Sequence, residues 1–228
     1  MKLWGRVMVE NGSERGVYSS VFLTILGVTQ AAVFALLTIS TVNYLSELPF
    51  DGGWPAVQDE IAFTEVFRFL VGSAVILVVT CEYVYFVQMT HREVGFWDVG
   101  PMFMLSFAEV VIFKGIGDPH LFWIGWLILS IAGFNAFWKS ERHDWTKNYP
   151  RPLKFADTLK RYLRIRMFAC TLSGIGAIAI LWQLFRVDFP LDAHYFIAGV
   201  MTVGFTWAFF RSSYQIRQEH KLLQSDGG

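Results

Sequence analysis

Residues 69–114 read FLVGSAVILVVTCEYVYFVQMTHREVGFWDVGPMFMLSFAEVVIFK, and the reading of this stretch decides the fold. Two apolar runs flank the short charged turn 91–95. A run of about 20 apolar residues, coiled as an α-helix, matches the hydrocarbon thickness of a bilayer. The strict alternation of barrel strands is absent, and a backbone in hydrocarbon must satisfy its own hydrogen bonds, so both runs read as membrane helices. The short turn makes them an antiparallel hairpin. Each arm carries one carboxylate, Glu82 in the first and Glu109 in the second.

The pattern extends outward from this hairpin. Apolar stretches at 21–42, 61–90, 96–114, 121–138, 165–185 and 193–210 give six spans in a chain of 228 residues. Hydrophobic residues make up 54% of the chain and charged ones 17%, below the quarter or so expected of a soluble domain. Six spans leave no room for a separate soluble unit. The expected fold class is an all-α integral membrane protein, one membrane domain over 1–228.

The formal net charge is zero but its distribution is one-sided. Residues 1–20 hold Lys2, Arg6 and Arg15, the 91–95 turn holds Arg92, residues 139–166 hold nine basic side chains, and the tail holds Arg211, Arg217 and Lys221. The opposite connections hold Glu47, Asp51, Asp59, Glu60, Asp118, Asp188 and Asp192 against Arg186. Basic loops stay on the cytoplasmic side, so both termini are expected there, with the first span an uncleaved signal anchor. The default location is the cell (plasma or inner) membrane.

Within the basic loop 139–164 the stretch from Lys154 to Arg164 is amphipathic. Phe155, Ala156, Leu159, Tyr162 and Leu163 share one helical face, and Lys154, Asp157, Lys160, Arg161 and Arg164 share the other. Pro150 and Pro152 precede it and suit a helix start. The reading is an interfacial helix before the fifth span, whose Lys154, Lys160, Arg161 and Arg164 face lipid headgroups, anionic ones in particular. Trp4, Tyr44, Trp54, Trp97, Trp123, Trp126, Trp138, Trp145 and Tyr195 lie near span ends and read as interface anchors.

Ionisable groups at membrane depth carry the functional expectation, because each costs about 2.5–3.5 kcal/mol to insert and so marks a partner, water or a pathway. Counted from the 91–95 turn at 1.5 Å per residue, Glu82 and Glu109 differ in height by about 6 Å, close to one turn. They are pathway candidates: they line one route for a cation or protons, share a proton, or serve helix packing alone. Glu65, Arg68 and Lys114, together with Glu109, are expected to cluster near the outer end as a vestibule or a set of ion pairs. Gln30, Ser106, Thr202 and Thr206 read as ordinary interhelical packing residues.

No enzyme chemistry stands out. His91, His120, His143, His194 and His220 lie near or outside span ends, where they cannot hold a haem at membrane depth. Cys81 and Cys170 form no metal or disulfide spacing, and both read as small buried apolar side chains. The sequence holds no metal-ligand box, nucleophile elbow or phosphate loop. Arg142-His143-Asp144 lacks a supporting constellation. No cofactor, metal, catalytic residue or nucleic-acid partner is expected. The leading expectation is a small channel or transporter for a cation or protons, as one protomer or a homo-oligomer. The alternative is a non-transporting anchor or assembly subunit of a larger membrane complex.

Overall fold

A computed structural model describes the backbone of residues 2–53, 63–90, 99–142, 153–187 and 190–225. The 91–95 turn with His91 and Arg92, the acids Asp59, Glu60 and Asp188, and the His143-Asp144 pair lie outside the described residues. So do the side chains of 1–22 and of Lys154.

Six long helices follow one another: α1 (Lys2–Ser46), α2 (Phe63–Thr90), α3 (Val99–Lys114), α4 (Pro119–Glu141), α5 (Leu153–Leu184) and α6 (Leu191–Ser225). No strand occurs among the described residues. Each helix contains a segment long and apolar enough to cross a membrane, as a multi-pass membrane protein requires. The outer surface is apolar as well: Phe34, Phe103, Phe168, Leu172, Phe196 and Trp207 all point outward and stay exposed. An apolar surface of this extent calls for lipid rather than water.

The expected loop 139–164 is much shorter than that. Its two ends belong to α4 and α5, and the stretch expected as a separate interfacial helix is the opening of the continuous α5. Proline is absent after Pro152 until Pro190, so nothing breaks the helix between its polar start and its apolar body. The amphipathic reading of its faces is visible in the packing, with Leu159 and Leu163 buried and Arg161 and Arg164 exposed.

Pairs of touching residues fix the directions. Gln30 meets Thr80, Arg68 meets Phe113, Trp126 meets Ser173 and Arg166 meets Ser212, so consecutive helices run antiparallel. Helices α2 to α6 close into a ring, α2 against α3, α3 against α4, α4 against α5, α5 against α6 and α6 back onto α2. A ring of five alternating helices needs one parallel neighbour pair, and α2 with α6 is that pair: Thr64 meets Tyr195 near their starts and Glu82 meets Ser213 further along. Helix α1 packs outside the ring, on α2 and α3.

The ring is filled. Val71, Val75, Ile112, Phe122, Trp123, Trp126, Ala177 and Ala198 form one core drawn from all five helices. Trp123, Trp126 and Tyr195 are therefore core residues rather than interface anchors. The indole N–H of Trp126 donates to Ser173 Oγ at 2.7 Å and Tyr195 shares a hydrogen bond of 2.6 Å with Thr64, which meets the need of a buried Trp or Tyr for a polar partner. Close approach of α3 and α4 depends on glycine. A Cβ on Gly125 would lie 2.8 Å from the Ile112 nitrogen, and one on Gly115 would lie 2.3 Å from that of Phe122. The turn between the two helices ends at Asp118, whose carboxylate accepts from the backbone N–H of His120 and Leu121, with Pro119 opening α4, a strong helix start. Of the two cysteines only Cys170 is buried, while Cys81 is exposed on the outer surface.

Candidate functional site

Two polar clusters interrupt the apolar interior, and α2 stands between them. The first joins α2, α5 and α6. Glu82, 8% exposed, faces Arg166, 5% exposed, in a bidentate pair: Nη1 lies 2.7 Å from Oε2 and Nη2 3.1 Å from Oε1. Nη2 also reaches Ser212 Oγ at 2.9 Å and Ser213 Oγ at 3.2 Å, while the Ser213 hydroxyl donates to Glu82. The guanidinium lies over the rings of Phe137 and Phe209, both faces suited to a cation. Close approach of the two charges, with added hydrogen bonds from the serines, is what compensates a buried ion pair. Arg166 was read from sequence as the last charge of a cytoplasmic loop; the continuous α5 carries it inside the bundle instead. An unpaired acid in the second span was the available signal, since a buried carboxylate needs a cation near its own depth.

The second cluster joins α1, α2 and α3. Glu109 is 1% exposed. Gln30 Nε2 donates to Glu109 Oε2 at 3.0 Å and to Ser106 Oγ at 3.2 Å, and Gln30 Oε1 accepts from the Thr80 hydroxyl at 3.1 Å. Glu109 Oε1 has no hydrogen-bond partner among the described residues. On α3, Ser106 and Glu109 are three residues apart and share a face. On α1, Gln30 falls in the buried stripe Leu26, Gln30, Val33, Leu37. Every side chain hydrogen-bonded to Glu109 among the described residues is neutral.

These contacts set Glu82 and Glu109 apart. Thr80, which joins the second cluster, and Glu82, which anchors the first, are two residues apart on α2 and so point about 200° apart around its axis. The contacts, not the heights read from sequence, put the two acids on opposite sides of α2, each with its own partners.

The outer group assembles only in part. Arg68 pairs with Glu65, three residues before it, and its Nε donates to the Phe113 carbonyl at 2.9 Å, satisfying a carbonyl at the end of α3. Lys114 is exposed, with its ammonium near the Phe113 ring, and Glu109 turns to Gln30. Nearby, His194, close to the start of α6 as its place near a span end implies, is fully buried. Its Nε2 faces the Ile116 carbonyl at 3.2 Å, so that nitrogen carries the proton, and its ring packs edge-on to Phe122 and Trp123. It ties α6 to the turn between α3 and α4.

At the opposite end, a groove of about 490 Å³ is lined by Asp157, Lys160, Arg161, Arg164, Ile165 and Phe168. Arg164 is partly engaged there, donating to Glu141 at 2.7 and 2.9 Å. Among the described residues no group of three or more His, Cys, Asp or Glu side chains could hold a metal ion.

No family model, curated protein or solved structure matches this chain. Its function has to be read from its own chemistry.

Proposed function

We propose that this protein moves protons or a small cation across a membrane, with Glu109 as the group that loads and releases the ion. One observation carries the reading: Glu109 is buried at span depth, and the side chain hydrogen-bonded to it among the described residues, Gln30, is neutral. A carboxylate in a low-dielectric interior without a cationic partner must hold a proton or a bound cation to remain there. Glu82 has such a partner in Arg166 and serves to tie α2, α5 and α6. Both termini and the basic groove face the cytoplasm of the cell membrane in this reading, with Lys160 and Arg161 on the headgroups of anionic lipid.

Flux from liposomes holding only the purified chain tests the proposal. Wild type is expected to pass protons or sodium down an imposed gradient, and Glu109→Gln to abolish this without loss of insertion. Equal flux from wild type and Glu109→Gln would overturn it. A second reading, a non-transporting subunit of a membrane complex, is favoured by the aromatic filling of the ring around Trp123 and Trp126. Tight liposomes together with a stoichiometric partner in native purification would select that reading.

A further inference from the structure

We infer that Glu109, Ser106, Gln30 and Thr80 form a binding site for a dehydrated monovalent metal cation of sodium's kind, not for a proton alone. The inference rests on the reading of Glu109 as the loading group and specifies its ion. A site for a proton needs little more than the carboxyl group. Here Gln30 meets the carboxyl group and is itself held by Ser106 and Thr80, so that side chains of three helices converge, which a proton does not require.

The present arrangement places the Gln30 amide nitrogen between Ser106 Oγ and Glu109 Oε2, at 3.2 and 3.0 Å. The terminal torsion of a glutamine is broad and two-fold, so a half-turn exchanges Nε2 and Oε1. Thr80 permits that exchange. Its hydroxyl now donates to Gln30 Oε1, and a hydroxyl accepts from an amide N–H equally well. After the half-turn the Gln30 carbonyl oxygen, Ser106 Oγ and the Glu109 carboxylate converge with no N–H among them. Oxygens so placed need a hydrogen or a cation between them: the Ser106 hydroxyl supplies one proton, and with Glu109 ionised a cation fills the place that remains. Glu109 Oε1, buried and without a partner, is a further ligand already free. Hard cations take such carboxylate, carbonyl and hydroxyl oxygens. Charge selects the valence: one carboxylate and one monovalent ion are neutral together, whereas a divalent ion would leave an uncompensated charge in the interior. Glu82 is excluded from such a role because the charge of the Arg166 guanidinium beside it already neutralises the carboxylate.

The test is equilibrium protection, independent of transport. The purified full chain in detergent is treated with a hydrophobic carbodiimide, which adds to protonated carboxyl groups, and modification of Glu109 is followed by mass spectrometry. Sodium chloride is compared with choline chloride at equal ionic strength. At sodium ten times its dissociation constant, occupancy by mass action slows Glu109 modification about tenfold. Thr80→Val and Ser106→Ala are expected to keep the modification but lose most of the protection. Sodium should also raise the unfolding temperature of wild type and leave that of Glu109→Gln unmoved. Equal modification in sodium and choline, or no sodium-dependent rise in unfolding temperature, would overturn the inference while leaving proton transport through Glu109 standing. Protection without flux would keep the site and remove the transport reading.

Discussion

Glu82 and Glu109 lie at similar depth on either side of α2, yet one faces a cation and the other faces an amide. Around Glu82, Arg166 supplies charge and Ser213 a hydroxyl donor, while Ser212 accepts from the guanidinium. Around Glu109 the partners are Gln30 and, through it, Ser106 and Thr80. The difference teaches that a buried acid is not by itself a functional site. Its partner decides. A paired acid ties helices to one another, whereas an acid among neutral groups has no countercharge, which is why the proposed ion is placed at Glu109 rather than at Glu82.

The comparison breaks most directly at Arg166. Arg166→Ala leaves Glu82 buried without its partner and is expected to cost about 3–5 kcal/mol, read as a large fall in unfolding temperature in detergent. Replacing both partners, Glu82→Met with Arg166→Met, should recover most of that loss, because apolar groups of similar volume need no compensation. If the double variant were as unstable as the single one, the cluster would be more than a tie between helices.

A smaller effect is expected on the other side of α2. Gln30→Leu removes the donor to Glu109 and the acceptor of Thr80, at a cost of roughly 1–3 kcal/mol. Ser213→Ala takes one hydroxyl from the Glu82 cluster, about 1 kcal/mol, and should leave flux unchanged. The smallest change in stability belongs to Glu109→Gln, within about 1 kcal/mol of wild type because the amide keeps a hydrogen bond to Gln30. That same variant carries the largest expected loss of flux. A stability loss for Glu109→Gln as large as that of Arg166→Ala would erase the contrast between the two acids.

Much of this was legible in the residues. The six spans and the turn at Asp51, Gly52 and Gly53 follow from local composition; a 3-10 turn forms there and closes on Gly53 at a φ of 76°. The placing of Glu82 and Glu109 at span depth followed from their position within apolar runs; that both turn inward did not. Nor did their partners. In spans apolar all round, such as α1, no stripe marks Gln30 as facing inward rather than outward, and Arg166 stands at the border of a basic loop and an apolar span. Trp123 and Trp126 were misread because tryptophan near a span end serves equally as an anchor or as core, and only the neighbours distinguish the two.

The sequence by itself determined the helices, their number and the one-sidedness of their charges, because these depend on neighbours along the chain and on the cost of exposing polar backbone to hydrocarbon. Tertiary structure decided the rest. Which face of each helix turns inward, which acid meets arginine and which meets glutamine, and how α1 completes the site at Glu109 all depend on ridge and gap matching between helices. In an interior filled as densely as a crystal, residues such as Gly125 and Gly115 settle that matching through contacts far apart in the chain.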